Sequence, residues 1–325
     1  MMNLKLVSVD CGKANTKVCA YDTNTSETRE EIIATNVAKR NALVELCMKG
    51  SQYIVSMEIS DPEICGDWMV GVMGGESSYS NSKKDMIHKI MTLVAIALVT
   101  ENGDTVIPSI GCPMSVFSNG EMKADYYDYI FPNGRVDIRI NGTDRYYYIE
   151  KEKGCVFPES FGALFMFPDH FAKRTGIIDI GGLNVNASYF DKGELQPELC
   201  RTEKLGLFSI ISQLRNRLNA YCDAGFDDKD IEIFLKLGSV DGYEKTDEII
   251  DKVLRDHLAR IANVLKDWDI TSTDLIFIGG TAKLMEKHIY EKYSDKAYIP
   301  DDADFINCKG FLKAMIDMKG YNCPF

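Results

Sequence analysis

Two stretches of the chain read alike. Residues 9–17 run Val9-Asp10-Cys11-Gly12-Lys13-Ala14-Asn15-Thr16-Lys17, and residues 178–186 run Ile178-Asp179-Ile180-Gly181-Gly182-Leu183-Asn184-Val185-Asn186. Counted from each aspartate, glycine stands two residues on (Gly12, Gly181) and asparagine five (Asn15, Asn184). An aromatic (Tyr21, Phe190) and a second aspartate (Asp22, Asp191) close both copies. Each copy reads as a strand, a tight glycine turn and a return strand. Glycine at such a turn lets backbone N–H groups approach an anion closely. The aspartate at the strand end suits a metal ion, held directly or through water. A single Asp-x-Gly hairpin is an ordinary turn. Two copies with matched spacing, about half the chain apart, point to a polyphosphate gripped from two sides.

Around these hairpins the pattern alternates between strands and helices. Strands are expected at Leu4–Asp10, Lys17–Asp22, Gln52–Glu58, Trp68–Val72, Thr105–Cys112, Gly176–Ile180, Asn184–Phe190 and Asp274–Ile278. Arg135–Ile149 reads as a hairpin turning at Asn141-Gly142, a pair that favours a tight two-residue loop. Gly71–Ser82 is loop-like. Helices are expected at Asp85–Val99, Asn119–Ile130, Leu205–Tyr221, Asp228–Leu237, Thr246–Trp268, Thr281–Tyr290 and Ala303–Met318. Pro158-Glu159-Ser160 is read as opening a further helix, with proline in a favoured first-turn position. In 246–268, Ile249, Ile250, Val253, Leu254, Leu258, Ile261, Ala262 and Leu265 recur at helical period, and His257 on the same face reads as a core histidine. Short buried strands alternating with helices mean an α/β fold.

The 325 residues include 49 acidic and 37 basic side chains, a net charge of −12. That balance argues against direct coating of nucleic acid and against a polybasic membrane anchor. The longest apolar run, Met91–Val99, is far short of the roughly 20 residues a spanning helix needs. No signal peptide is recognised, and a cytoplasmic location is expected. The ten cysteines form no Cys-x-x-Cys pair and read as reduced thiols. The four histidines are too scattered for a zinc site.

The two hairpins, together with Leu275-Ile-Phe-Ile-Gly279-Gly280-Thr281-Ala282, resemble the phosphate-1, phosphate-2 and adenosine motifs of the actin-like ATPase superfamily. Phe157-Pro-Glu159-Ser-Phe-Gly-Ala163 resembles its first connecting helix. Within the superfamily, Pro158-Glu159-Ser160, Ile177-Ile-Asp-Ile-Gly-Gly182 and Leu205-Gly206 leading a helix are similar to plasmid-segregating actins of the ParM type.

The resemblance implies a two-lobed, ribonuclease H-like ATPase fold with a nucleotide cleft between the lobes. Lobe I would comprise 1–157 plus 300–325, with a small insertion at about 35–83 and the C-terminal helix. Lobe II would comprise 158–299, with a helical insertion at about 201–268 and the adenosine motif. The implied cofactors are ATP (or GTP) and Mg²⁺. The implied function is a filament that polymerises with nucleotide, hydrolyses it to control its stability and segregates plasmids. Its implied partners are further copies of itself and a DNA-binding adaptor on a centromere-like site, without direct nucleic-acid or membrane binding.

By motif position, Asp10 and Asp179 would organise Mg²⁺ and its waters. Gly12, Lys13 and Asn15 would line the first phosphate loop, with Lys17 reaching the phosphates. Gly181, Gly182, Leu183 and Asn184 would form the second loop mainly through N–H groups. Glu159 would orient the attacking water, and Gly279, Gly280 and Thr281 would pack against the nucleoside. One departure stands out. ParM-like second loops often read Gly-Gly-Thr-Thr-x-Asp, whereas Gly181-Gly-Leu-Asn-Val-Asn186 lacks both hydroxyls and the distal carboxylate. A small-molecule kinase of the same fold and a non-hydrolysing filament scaffold remain alternatives, because fold alone does not choose among them.

Overall fold

A computed structural model of the chain describes residues 3–41, 52–72, 75–77 and 83–325. Part of the small insertion and part of the Gly71–Ser82 loop, residues 73, 74 and 78–82, lie outside the described residues. The chain divides into two compact units, Met1–Met166 with Asn307–Phe325, and Phe167–Ile306. It is an α/β protein in both.

The first unit is built on a ten-stranded mixed sheet. Its strands are β1 (Leu4–Cys11), β2 (Asn15–Asp22), β3 (Thr28–Ala34), β4 (Val37–Lys39), β5 (Tyr53–Met57), β6 (Gly66–Val70), β7 (Thr105–Cys112), β8 (Gly134–Ile140), β9 (Thr143–Ile149) and β10 (Cys155–Pro158). Their order is β3-β2-β1-β7-β9-β8-β5-β6-β4, and β10 pairs with β7 beyond the end of β9. The β8–β9 hairpin turns at Asn141 and Gly142, both with φ above zero, as the sequence pair requires.

Helix α1 (Met86–Val99) lies across β1, β2 and β3. It is apolar almost all round and buried accordingly, from Ile87 to Val99 with Leu98 half-covered. Each fully buried Ile or Leu of this kind stabilises the unit by about 1.5–3 kcal/mol. Helices α2 (Met114–Phe117) and α3 (Gly120–Ile130) follow β7, with Asn119 capping α3 through the Met122 N–H.

The proline reading of residues 158–160 is corrected. Pro158 ends β10, Ser160 has φ +70°, and helix α4 begins only at Gly162 and ends at Met166. Parallel pairing of Pro158 with Cys112 outweighs the helix-start signal. The same pairing draws residues 158–166, expected in the second lobe, into the first unit. The last helix, here numbered α10 (Ile306–Lys319), returns to this unit. There Phe311 stacks on Phe157 at 5.3 Å, and Gly310 passes so close to Gly162 that a Cβ would fall 2.2 Å from its carbonyl oxygen.

The second unit carries a six-stranded sheet. It contains β11 (Arg174–Ile180), β12 (Val185–Asp191), β13 (Glu194–Leu195), β14 (Arg201–Glu203), β15 (Asp274–Ile278) and β16 (Ala297–Tyr298), in the order β13-β12-β11-β15-β16 with β14 on β12. Its helices are α5 (Leu207–Cys222), α6 (Asp228–Leu237), α7 (Thr246–Val264), α8 (Gly280–Leu284) and α9 (Glu286–Tyr293). The core face of α7 consists of Ile250, Val253, Leu254, His257, Leu258 and Ile261. The single helix expected over 281–290 is broken at Met285 into α8 and α9. No helix among the described residues is long and apolar enough to cross a membrane, and every described cysteine is free.

Candidate functional site: two matched Asp-Gly hairpins

The first hairpin joins β1 to β2. Asp10 pairs across with Lys17 and Cys11 with Thr16, and the Gly12 N–H donates to the Asn15 carbonyl at 3.1 Å. The second joins β11 to β12 in the same register. Asp179 pairs with Asn186 and Ile180 with Val185, and the Gly181 N–H donates to the Asn184 carbonyl at 3.0 Å. Each aspartate stands one residue before the end of a strand that runs parallel to a central neighbour, β7 or β15. Asp10 is 7% exposed and Asp179 8%. Two buried carboxylates at equivalent positions are costly unless something compensates their charge.

In the first unit that compensation is Lys83. Its ammonium is buried 2.8 Å from Glu159 Oε1 and 4.0 Å from Asp10 Oδ1. Burial works against its charge, yet the Glu159 and Asp10 carboxylates hold its pKa above the ordinary lysine value. The Glu159 N–H donates to the Cys112 carbonyl at 2.8 Å, so its backbone is fixed at the end of β10. Lys17 places its amine over the turn, 3.8 Å from where a Gly12 Cβ would lie. Lys13 is buried with its amine 3.6 Å from Asp85, the residue that caps α1. Asn15 is half-buried at the start of β2. Thus Asp10, Gly12, Lys17 and Glu159 gather about one sheet end, while the Lys13 side chain is committed to α1.

In the second unit the Gly181–Asn184 segment is held from behind. The N–H groups of Gly206, Leu207 and Phe208 donate to the carbonyls of Leu183, Gly181 and Gly182 at 3.0, 3.0 and 2.9 Å. The start of α5 therefore satisfies the loop's carbonyl groups. Among the described residues, the N–H groups of Gly182, Leu183 and Asn184 donate to no protein acceptor. The Asn184 side-chain oxygen is buried without a hydrogen-bond partner. A loop with its carbonyls tied back and successive N–H groups unspent is suited to an anion such as phosphate. Gly279 lies against the same segment at φ +89°, where a Cβ would come within 2.5 Å of the Ile180 oxygen and 2.8 Å of Asp179 Oδ1. Thr281 donates its hydroxyl to the Gly181 carbonyl at 3.1 Å, and Gly280 faces Asp304.

Residues 8–162 match the family described as the N-terminal domain of actin-like proteins. The Alp12 filament structure is 23% identical over 98% of this chain and 100% of that one, with a TM-score of 0.71. The chain has the actin-like fold over almost its whole length. A ParM from a 15-stranded filament of Clostridium botulinum is 16% identical over 97% of this chain and 100% of that one (TM-score 0.72). An archaeal actin homologue in complex with ADP is 16% identical over 97% and 99% (TM-score 0.72). A comparison with curated proteins gives no match.

Three further residues bear on this site, and the sequence assigns none of them a role in it. Lys83 stands in a run of polar residues with nothing local to mark it. Gly206 was noted only as leading a helix, although glycine before an amphipathic run is itself a signal of close approach. His257, read as core, is fully buried and donates from Nε2 to the Leu205 carbonyl at 2.8 Å, directly before the helix start that holds the loop.

Proposed function

We propose that the protein binds a nucleoside triphosphate with Mg²⁺, assembles into filaments in that state and hydrolyses the nucleotide to limit filament lifetime. The observation that carries this reading is the pair of hairpins in one register, each ending in a buried aspartate and a glycine turn. Asp10 and Asp179 would hold Mg²⁺ and its waters, and the bound ion would supply neutralising charge for phosphoryl transfer. The Gly182–Asn184 N–H groups bind phosphate, Lys17 adds a point charge, and Gly279, Gly280 and Thr281 receive the nucleoside. Glu159 orients the attacking water, consistent with its fixed backbone and with the Lys83 ammonium it shares with Asp10. ATP is the proposed nucleotide, with GTP the alternative.

The filament reading is supported by the likeness to the Alp12 and Clostridium botulinum ParM filaments, and the nucleotide reading by the archaeal homologue's ADP complex. We further propose that the filament acts in the cytoplasm in plasmid segregation, captured by a DNA-binding adaptor. Sedimentation and light scattering with Mg-ATP, Mg-GTP or no nucleotide test the assembly step. Nucleotide-dependent pelleting above a critical concentration is the expected result, and failure across nucleotides and salts overturns it. The loss of both hydroxyls from Leu183-Asn184 favours a second reading, a scaffold that binds nucleotide without turnover, which a phosphate-release assay separates from the first.

A further inference from the structure

Lys83 precedes α1 by two residues outside its cap, and its whole side chain is buried. Around it lie the buried Cys11 and Cys112 and Tyr126, which directs its hydroxyl to the Gly111 carbonyl at 3.2 Å, and the buried Lys13 ammonium is near enough to repel it. An ammonium in such a place is costly unless anions face it. Two do, and they come from different strands. Asp10 stands near the end of β1 and Glu159 directly after β10, both strands running parallel to β7. The Glu159 backbone is held by Cys112 and followed by the strained Ser160 at φ +70°. Rotation of the Glu159 side chain is then the main freedom left to it, and the 2.8 Å contact with Lys83 restricts that rotation.

We infer that Lys83 is the positioning residue of the hydrolytic site, holding the Glu159 carboxylate in the orientation from which it receives the attacking water. The inference rests on the hydrolytic function proposed above. A lysine that served only to stabilise the fold would change nucleotide affinity and turnover together. A lysine that acts through Glu159 changes turnover alone and loses its effect once Glu159 is neutralised.

The test uses the full chain with Mg-ATP and Mg-GTP, measuring affinity by calorimetry and phosphate release at saturation. Lys83→Met should lower phosphate release by roughly 100-fold, the size of a lost acid–base contribution, with affinity nearly unchanged. Lys83→Arg should recover part of that loss. In the Glu159→Gln background, Lys83→Met should cause no further loss. If Lys83→Met alone does not fold, the comparison of Glu159→Gln with Lys83→Met/Glu159→Gln still decides, because the double variant buries no unpaired Glu159 carboxylate. Additive losses in the double variant, or equal falls in affinity and turnover, overturn the inference while leaving the hydrolytic reading in place. A wild-type chain that binds either nucleotide and releases no phosphate overturns the hydrolytic reading itself, and the role of Lys83 with it.

Discussion

Gly206 lies so close to Gly182 that a Cβ on Gly206 would fall 2.4 Å from the Gly182 carbonyl oxygen. The backbone of Gly206 is ordinary, φ −79°, so the constraint is space rather than conformation. The contact matters because the next two N–H groups of α5 hold the carbonyls of Gly181 and Gly182. Gly206→Ala must push the loop off the helix start. It should destabilise the protein by about 1–3 kcal/mol, the usual cost of overpacking, and weaken Mg-nucleotide binding. Denaturant unfolding and calorimetry measure the two effects. A variant with wild-type stability and affinity would show that the loop has room to give.

Glu159→Gln removes the proposed water acceptor while preserving its shape. Phosphate release should slow by roughly 100-fold while nucleotide affinity is largely retained, because a water-orienting group acts mainly on the transition state. Filaments followed by light scattering should persist longer after assembly. A variant that loses affinity instead would mark Glu159 as structural.

Asp10→Ala and Asp179→Ala should each weaken Mg-dependent nucleotide binding, and the double variant should lose less than the sum of the two. That shortfall is expected because the proposed function has both carboxylates act on one metal–nucleotide complex. Titrations at high and low Mg²⁺ provide the measurement. Strictly additive losses would mean the two aspartates serve separate ends.

Stability should fall as pH drops below about 6.5, the ordinary histidine value. Burial lowers the pKa of His257, opposed by its bond to the Leu205 carbonyl, and burial likewise lowers His88. Below 6.5 the unfolded chain binds protons that the folded chain refuses, so stability rises with pH up to that value and is lost on the acid side. His257→Gln keeps a donor for Leu205 without the titration. Its melting temperature should vary less between pH 7.5 and pH 5 than the wild type's, with His88 accounting for part of what remains. An unchanged pH dependence would exclude His257 as a source.

Much of the fold was legible because it is written in neighbouring residues. Thr105–Cys112 and Asp228–Leu237 have the boundaries that their apolar pattern indicates, and Asn141-Gly142 turns as its chemistry demands. The two hairpins were legible for the same reason, since strand, turn and return lie within about a dozen residues. Their common register, Gly12 to Asn15 and Gly181 to Asn184, follows from glycine and asparagine placed alike.

What tertiary structure alone decided depends on distant partners. Glu159 looked like a first-turn helix residue, but β10 pairs with a strand more than forty residues earlier, and a backbone bond to Cys112 ties it to the end of that pairing. Exposed, charged β3 is a strand only because β2 presents an edge to it. Lys83 carries no local signal at all. A lysine becomes a buried counter-ion only where folding brings Asp10 and Glu159 to it and removes water, and neither the burial nor the two carboxylates can be read from the residues beside it.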